Sequence, residues 1–104
     1  MSRGGRRRLQ VLYHDEVVRR DIPRLDRPVA LRIRRAIESK LTASPEDFAK
    51  PLAYTRSGLW ALRVGDWRVV FTLKRNEVCI LRIGHRAEVY KGLDSLIDAL
   101  GNSS

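Results

Sequence analysis

Two guanidinium groups fall where a short hairpin sets them face to face. In the segment LWALRVGDWRVVF, Gly65-Asp66 reads as a two-residue turn, so Val64 lies opposite Trp67 and Arg63 opposite Arg68. Like charges directly across a strand pair destabilise it, so this pair calls for an anion, for both side chains splaying into solvent, or for screening by Asp66 or Glu88. A second turn at Arg75-Asn76 sets Leu73 beside Val78 and Arg68 close to Ile83. The segment Gly84-His85-Arg86 then leaves the sheet next to the arginines. Arg63, Arg68, His85, Arg86, Lys91 and the hydroxyl of Tyr90 are thereby expected along one rim of the sheet. Cations that stabilise charge on a phosphate, together with groups able to move protons, are what metal-free phosphoryl chemistry needs. The reaction that fits is attack of an RNA 2′-hydroxyl on its own adjacent phosphate, because the substrate then brings its nucleophile and the protein only orients and neutralises. Trp60 or Trp67 is available to stack on a base, with core packing as the competing role.

The rest of the composition narrows the alternatives. The chain has 104 residues, enough for one domain and too few for a two-domain nucleotide-binding enzyme. Cys79 is alone, which excludes an internal disulfide and a cysteine-based metal site, and it reads as a small buried thiol. His14 and His85 are the only histidines and lack metal-ligand spacing, so neither a metal nor a cofactor is expected. No apolar run approaches the roughly 18 residues of a membrane helix, which leads us to expect a soluble, cytoplasmic protein. With 21 Lys and Arg against 12 Asp and Glu, the net charge is +9, and such an excess suits a polyanionic or acidic partner. Arginine outnumbers lysine 17 to 4; guanidinium binds phosphate or carboxylate through two donors, although a codon bias would give the same count.

The elements that must position the rim are legible in the pattern. Residues 1–8, rich in Gly and Arg, read as a flexible basic arm, and residues 9–104 as a single domain. Leu9, Val11 and Tyr13 alternate with Gln10 and Leu12 as in a strand. Asp15 is placed to cap a helix with Val18, Ile22 and Leu25 on one face, kinked or ended by Pro23. Asp26 and Pro28 mark a second start, followed by the stripe Ala30, Ile33, Ile37 and Leu41. Residues 42–58 read as a connecting loop with Phe48 or Leu52 tucked beneath it. LWALRV, WRVVFTLK and VCILRI form a three-stranded antiparallel meander, and KGLDSLIDALG a short C-terminal helix with Leu93, Leu96, Ile97 and Leu100 on one face. The expected fold is α+β, a twisted antiparallel sheet covered on one face by helices.

The run LWALRVGDWRVVF joined to VCILRIGHRAEVY resembles the C-terminal half of the RelE family of bacterial and archaeal toxins, in the RelE/ParE superfamily of type II toxin–antitoxin systems. The upstream helices, the Asp21-Ile22-Pro23 segment and the proline-containing loop fit the same family, so the likeness covers roughly residues 9–91. It implies a small RelE-like domain encoded beside an antitoxin, and a ribosome-dependent endoribonuclease that cuts mRNA in the ribosomal A site and leaves a 2′,3′-cyclic phosphate. By this resemblance Arg68 and Arg86 hold the scissile phosphate, Tyr90 orients or deprotonates the 2′-hydroxyl, and Arg63 takes the place of a family lysine. A second family lysine, two positions before Arg63, is replaced by Ala61. Arginine is a poor proton acceptor, so His85 is left to act as acid or base or to make a structural hydrogen bond at the strand end. Arg56, Lys74, Lys91 and Trp67 are the further residues expected to touch RNA. The antitoxin is expected to cover the arginine cluster or to displace the helix bearing Leu93, Leu96, Ile97 and Leu100. Two rival functions share the fold: a ParE-like DNA gyrase inhibitor, and an inactive homologue that survives as a binding module.

Overall fold

The computed structural model describes residues 8–52, 58–93 and 95. Residues 1–7 of the basic arm expected at 1–8, Arg56, and the positions of Leu96, Ile97 and Leu100 lie outside the described residues. Strand β1 (Gln10–Tyr13) is followed by a helical segment α1, which runs through Val17–Asp21 as a wide π turn and tightens into a 3-10 turn at Ile22–Arg24. Pro23 explains the change of pitch, because it has no N–H to donate and its ring collides with the carbonyl four residues back. The turn therefore closes five residues back, with the Ile22 amide donating to the Val17 carbonyl.

The start of α1 differs from expectation. Asp15 makes no capping hydrogen bond in the structure; the Nδ1 of His14 accepts the Glu16 amide at 3.1 Å instead. The buried residue of this helix is Val17, whereas Val18 is 53% exposed, since the wide turn rotates the apolar face by one position. Helix α2 (Arg27–Ala36) behaves as its stripe dictates. Asp26 stands before it in extended conformation, Pro28 occupies its first turn, and Ile33, Ile37 and Leu41 are buried, the last two in a further wide turn at Ile37–Leu41.

The expected connecting loop contains two short elements, α3 (Pro45–Phe48) and strand β2 (Ala49–Pro51). Phe48 is not tucked under it. Its ring is half in solvent with the Lys40 ammonium 5.5 Å from its centre, while Leu52 packs inward. The meander follows as β3 (Leu59–Val64), β4 (Trp67–Lys74) and β5 (Glu77–His85). The five strands form one sheet in the order β1-β5-β4-β3-β2. All neighbours are antiparallel except β1, which adds to β5 in parallel, so the sheet is mixed at that edge. The reversal follows from the path between them: the chain crosses the whole sheet through α1 and α2 before β2 begins, and a crossover of that kind permits a parallel pair.

Two cores result. The larger lies between the helices and one sheet face and contains Val17, Ile33, Ile37, Leu41, Leu62, Val69, Phe71, Val78 and Ile80. The smaller, Leu59, Val70, Leu81, Val89 and Leu93, lies on the opposite face beneath the segment that follows β5. The parity of the strands assigns each side chain to one of the two, and Arg63 and Arg68 fall on the side of the smaller core.

Candidate active site

The hairpin has the register expected of its turn, with Arg63 opposite Arg68 and Val64 opposite Trp67. Gly65 has φ of +62°, which no β-branched or bulky residue adopts readily, and Asp66 follows with negative φ. One consequence of the tight turn is that its carbonyls face Arg68. Nη1 of Arg68 donates to the Gly65 carbonyl at 3.0 Å and to that of Trp67 at 2.9 Å. With both Nη1 protons used, the planar fork is fixed and Nη2 and Nε remain to face an anion. Arg63 is exposed beside it.

Leu73 pairs with Val78 as expected, yet the partner of Arg68 is Gly84 rather than Ile83, because a bulge between Val70 and Phe71 on one side and Arg82 and Ile80 on the other leaves Leu81 without an opposite residue. The extra residue has a local effect on side-chain direction. Leu81 enters the smaller core and Arg82 is turned to the same face, while Ile80 and Ile83 both enter the larger one. β1 stops short of this region, and the amide of Ile83 that its end would leave open donates to Oδ2 of Asp21 on α1 at 2.9 Å.

Beyond β5 the chain turns back over the smaller core. The Arg86 amide donates to the Asp66 carbonyl at 2.8 Å, which fixes Arg86 to the hairpin tip, and its Nε stands 3.9 Å from Oδ1 of Asp66. The amides of Glu88 and Val89 both donate to the His85 carbonyl at 2.9 Å. Val89 then packs on Gly84, where an added Cβ would come within 3.4 Å of the valine. The glycine thus lets the returning segment lie directly on the strand beside Arg68. Tyr90, half-buried against the smaller core, follows on the same side.

The remaining expected residues distribute as follows. His85 lies with the larger core, its ring edge-on to Trp67 with centroids 5.5 Å apart, and its Nδ1 accepts the Ala87 amide at 3.2 Å. With that lone pair engaged, a neutral His85 carries its proton on Nε2 and has no second lone pair to serve as a base. Trp67 is half-buried against the larger core, and Trp60 stacks on Phe71 with centroids 6.4 Å apart. Lys74 ends β4 at the other turn, about 20 Å along the strand from Arg68. Lys91 is exposed next to Tyr90, and Leu93 is buried, with 1% of its surface exposed. Ala61 is buried on the face that carries Arg63, at the position where the lysine of the RelE pattern is missing. Cys79 is half-buried, and desolvation pushes its thiol above the ordinary range, so it is a poor nucleophile at neutral pH. Among the described residues no group of His, Cys, Asp or Glu is assembled that would hold a metal ion, and no helix is long and apolar enough to cross a membrane. Missed from the sequence were Arg82 and Asp21, which hold the backbone around this site rather than lining it.

The family follows from comparison with known proteins. Residues 11–90 match the family described as the ParE toxin of the type II toxin–antitoxin system parDE. The chain belongs to the RelE/ParE superfamily of toxins. The RelBE2 toxin–antitoxin complex of Mycobacterium tuberculosis contains a chain similar to this toxin, at 25% identity and a TM-score of 0.70, covering 79% of this chain and 95% of that one. A chain of the archaeal RelE–RelB complex of Pyrococcus horikoshii shares the fold at 24% identity and a TM-score of 0.57, over 78% of this toxin and 98% of that chain. A conserved hypothetical protein of Helicobacter pylori does so at 16% identity and a TM-score of 0.56, over 77% and 97%. No curated protein matches this toxin.

Proposed function

We propose that this toxin is a ribosome-dependent endoribonuclease of the RelE kind, acting in the cytoplasm on mRNA and restrained by a cognate antitoxin. The observation that carries the reading is the convergence on one sheet face of Arg63, Arg68 and, through Gly84 and Val89, the segment holding Tyr90, with Arg86 pinned to the same hairpin tip. In this mechanism Arg68 and Arg86 grip the scissile phosphate and neutralise the charge that builds on its oxygens, with Arg63 adding to the field. Tyr90 holds the 2′-hydroxyl in place, and the proton of that hydroxyl passes to water as the 2′-oxygen bonds to phosphorus. The bond to the 5′-oxygen breaks, and that oxygen takes a proton from water and leaves as a hydroxyl, so the products are a 2′,3′-cyclic phosphate and a 5′-hydroxyl end. His85 supports the loop, since its Nδ1 is occupied by the Ala87 amide. Ala61 leaves the protein one proton-transfer group short of the RelE pattern, which makes substrate alignment by the ribosome the larger part of catalysis. Lys91 contacts RNA beside Tyr90.

The antitoxin supplies negative charge against the +9 of the toxin, covering the arginines or drawing away the segment that begins at Leu93.

A second reading, gyrase inhibition, is favoured by the match to the ParE family and by the missing basic residue at Ala61. Inducing the toxin in a bacterial host and mapping transcript 5′ ends separates the two, with the Arg68→Ala, Arg86→Ala double variant as control. Cuts confined to translated regions and absent from the control support the nuclease. Growth arrest with intact mRNA points to gyrase or another protein target, and neither effect to an inactive binding module.

A further inference from the structure

Arg82 touches no expected substrate group, yet it is the side chain of β5 that the bulge at Leu81 re-aims. In regular alternation, the residue after Leu81 would face the larger core, where a guanidinium has no place. The unpaired Leu81 instead turns Arg82 toward the returning segment. There Nη1 donates to the Val89 carbonyl at 3.1 Å and to the Lys91 carbonyl at 2.6 Å. These two carbonyls flank Tyr90 in the chain. The segment they belong to has no regular secondary structure between His85 and Leu93, only turn hydrogen bonds from Glu88, Val89, Lys91 and Leu93, with Gly92 at φ of +70°. A charged donor gripping both sides of one residue in such a segment fixes that residue more tightly than the turns alone, because charge-assisted bonds are shorter and about twice as strong as neutral ones.

We infer that Arg82 is a positioning residue for Tyr90: it clamps the backbone on either side of the tyrosine and so sets where the phenol meets the RNA. This rests on the nuclease reading for its consequence in catalysis, but the clamp itself is a property of the free toxin. The chemistry of the position is specific. A lysine ammonium is a point charge on a flexible stem and reaches one carbonyl more readily than two, so Arg82→Lys restores part of the grip, and Arg82→Met keeps the stem and removes it entirely.

Two measurements on the full chain decide it. In single-turnover cleavage of mRNA on programmed ribosomes, Arg82→Met is expected to lower the saturating rate about 10- to 100-fold with little change in the concentration giving half that rate, since a displacement near 1 Å costs that much. Arg82→Lys should recover part of the loss. In a Tyr90→Phe background, Arg82→Met should add little further loss, because the group it positions is already gone. Hydrogen exchange at the Val89 and Lys91 amides should accelerate in Arg82→Met while exchange in the β4 and β5 ladder stays as in the wild type. Losses that multiply in the double variant, or an effect confined to the half-saturating concentration, overturn the positioning role in favour of a direct RNA contact. Unchanged exchange at Val89 and Lys91 overturns the clamp whatever the cleavage data show. A wild-type toxin that does not cut ribosome-bound mRNA defeats the nuclease reading alone, and the exchange measurement still passes or fails the clamp.

Discussion

The two faces of the sheet are built on opposite principles. On the helix side, thirteen buried residues among those described, Phe71 with them, interlock, and β3 and β4 meet this core in regular alternation. On the other side the described residues include five buried ones, the bulge sets the successive side chains of Leu81 and Arg82 on this face, and polar groups hold backbone: Arg68 on the hairpin carbonyls, Arg82 on the returning segment, and Asp66 through its carbonyl on Arg86. The first face supplies stability and the second spends little of it. That division allows side chains on the thinner face to be chosen for charge, so a like-charged pair such as Arg63 and Arg68 persists across a strand pair whose other face is firmly packed.

The largest effect that would break the contrast is on stability. Phe71→Ala removes a fully buried ring from the larger core and is expected to cost about 3 to 5 kcal/mol in chemical denaturation. Leu93→Ala, equally buried but in the smaller core, should fall near the bottom of the range for such truncations, about 2 kcal/mol, if its surroundings collapse around the lost atoms. Equal losses would show that the second face is as much a core as the first.

Next comes the chemistry. Arg68→Ala with Arg86→Ala should reduce cleavage at least about 100-fold, the scale of losing preorganised donors to a developing anion. The stability change should stay within about 1.5 kcal/mol per residue, since what is lost in the fold is two bonds to turn carbonyls and an exposed ion pair. Cleavage that survives in a folded double variant removes both residues from the mechanism.

How far the sequence announced this architecture depends on the range of the interaction. The meander and the facing arginines were legible because Gly65-Asp66 and Arg75-Asn76 each fix a register over a few residues. The stripe of α2 was legible for the same reason, Ile33, Ile37 and Leu41 being separated by helical intervals. The bulge was not, since Leu81-Arg82-Ile83 carries no glycine or turn residue, and its position is decided by packing against Val89 and Leu93. With it went the role of Arg82 and the true partner of Arg68. Asp21 bonds an amide 62 residues away, a contact that no local pattern encodes. Strand β2 is three residues long and forms only because β3 offers it an edge, and the parallel sense of β1 is settled by the crossover rather than by its own residues.

A smaller change sharpens the role of Gly84, on which Val89 is seated. Gly84→Val places new atoms against Val89, whose Cβ and Cγ2 already stand 3.4 Å from where the first added carbon would lie. The overpacking is expected to cost about 1 to 3 kcal/mol. Because Val89 directly precedes Tyr90, cleavage should fall further than stability does. A loss of cleavage no greater than that from an equally destabilising change in the larger core, such as Ile37→Val, would mean that the seat of Val89 on Gly84 matters for packing alone.

Among the described residues Asp66 is the acidic residue closest to Arg86, and its removal is the mildest test of whether this face is tuned for an anion. The carboxylate lies 3.9 Å from Nε of Arg86, and both side chains are more than 60% exposed, so the pair contributes less than about 0.5 kcal/mol to folding. Asp66→Asn keeps the turn and the backbone bond from the Arg86 amide, because that bond is accepted by the main-chain carbonyl. What it deletes is a negative charge beside the guanidinium. At 4 Å in water a unit charge is worth about 1 kcal/mol, so RNA binding at low salt should tighten by about two- to fivefold with no change in the unfolding midpoint. The gain should fade near 1 M salt, where screening acts over about 3 Å. Tighter binding that persists at high salt would assign Asp66 a steric rather than an electrostatic part, and unchanged binding at low salt would place the path of the RNA away from the hairpin tip.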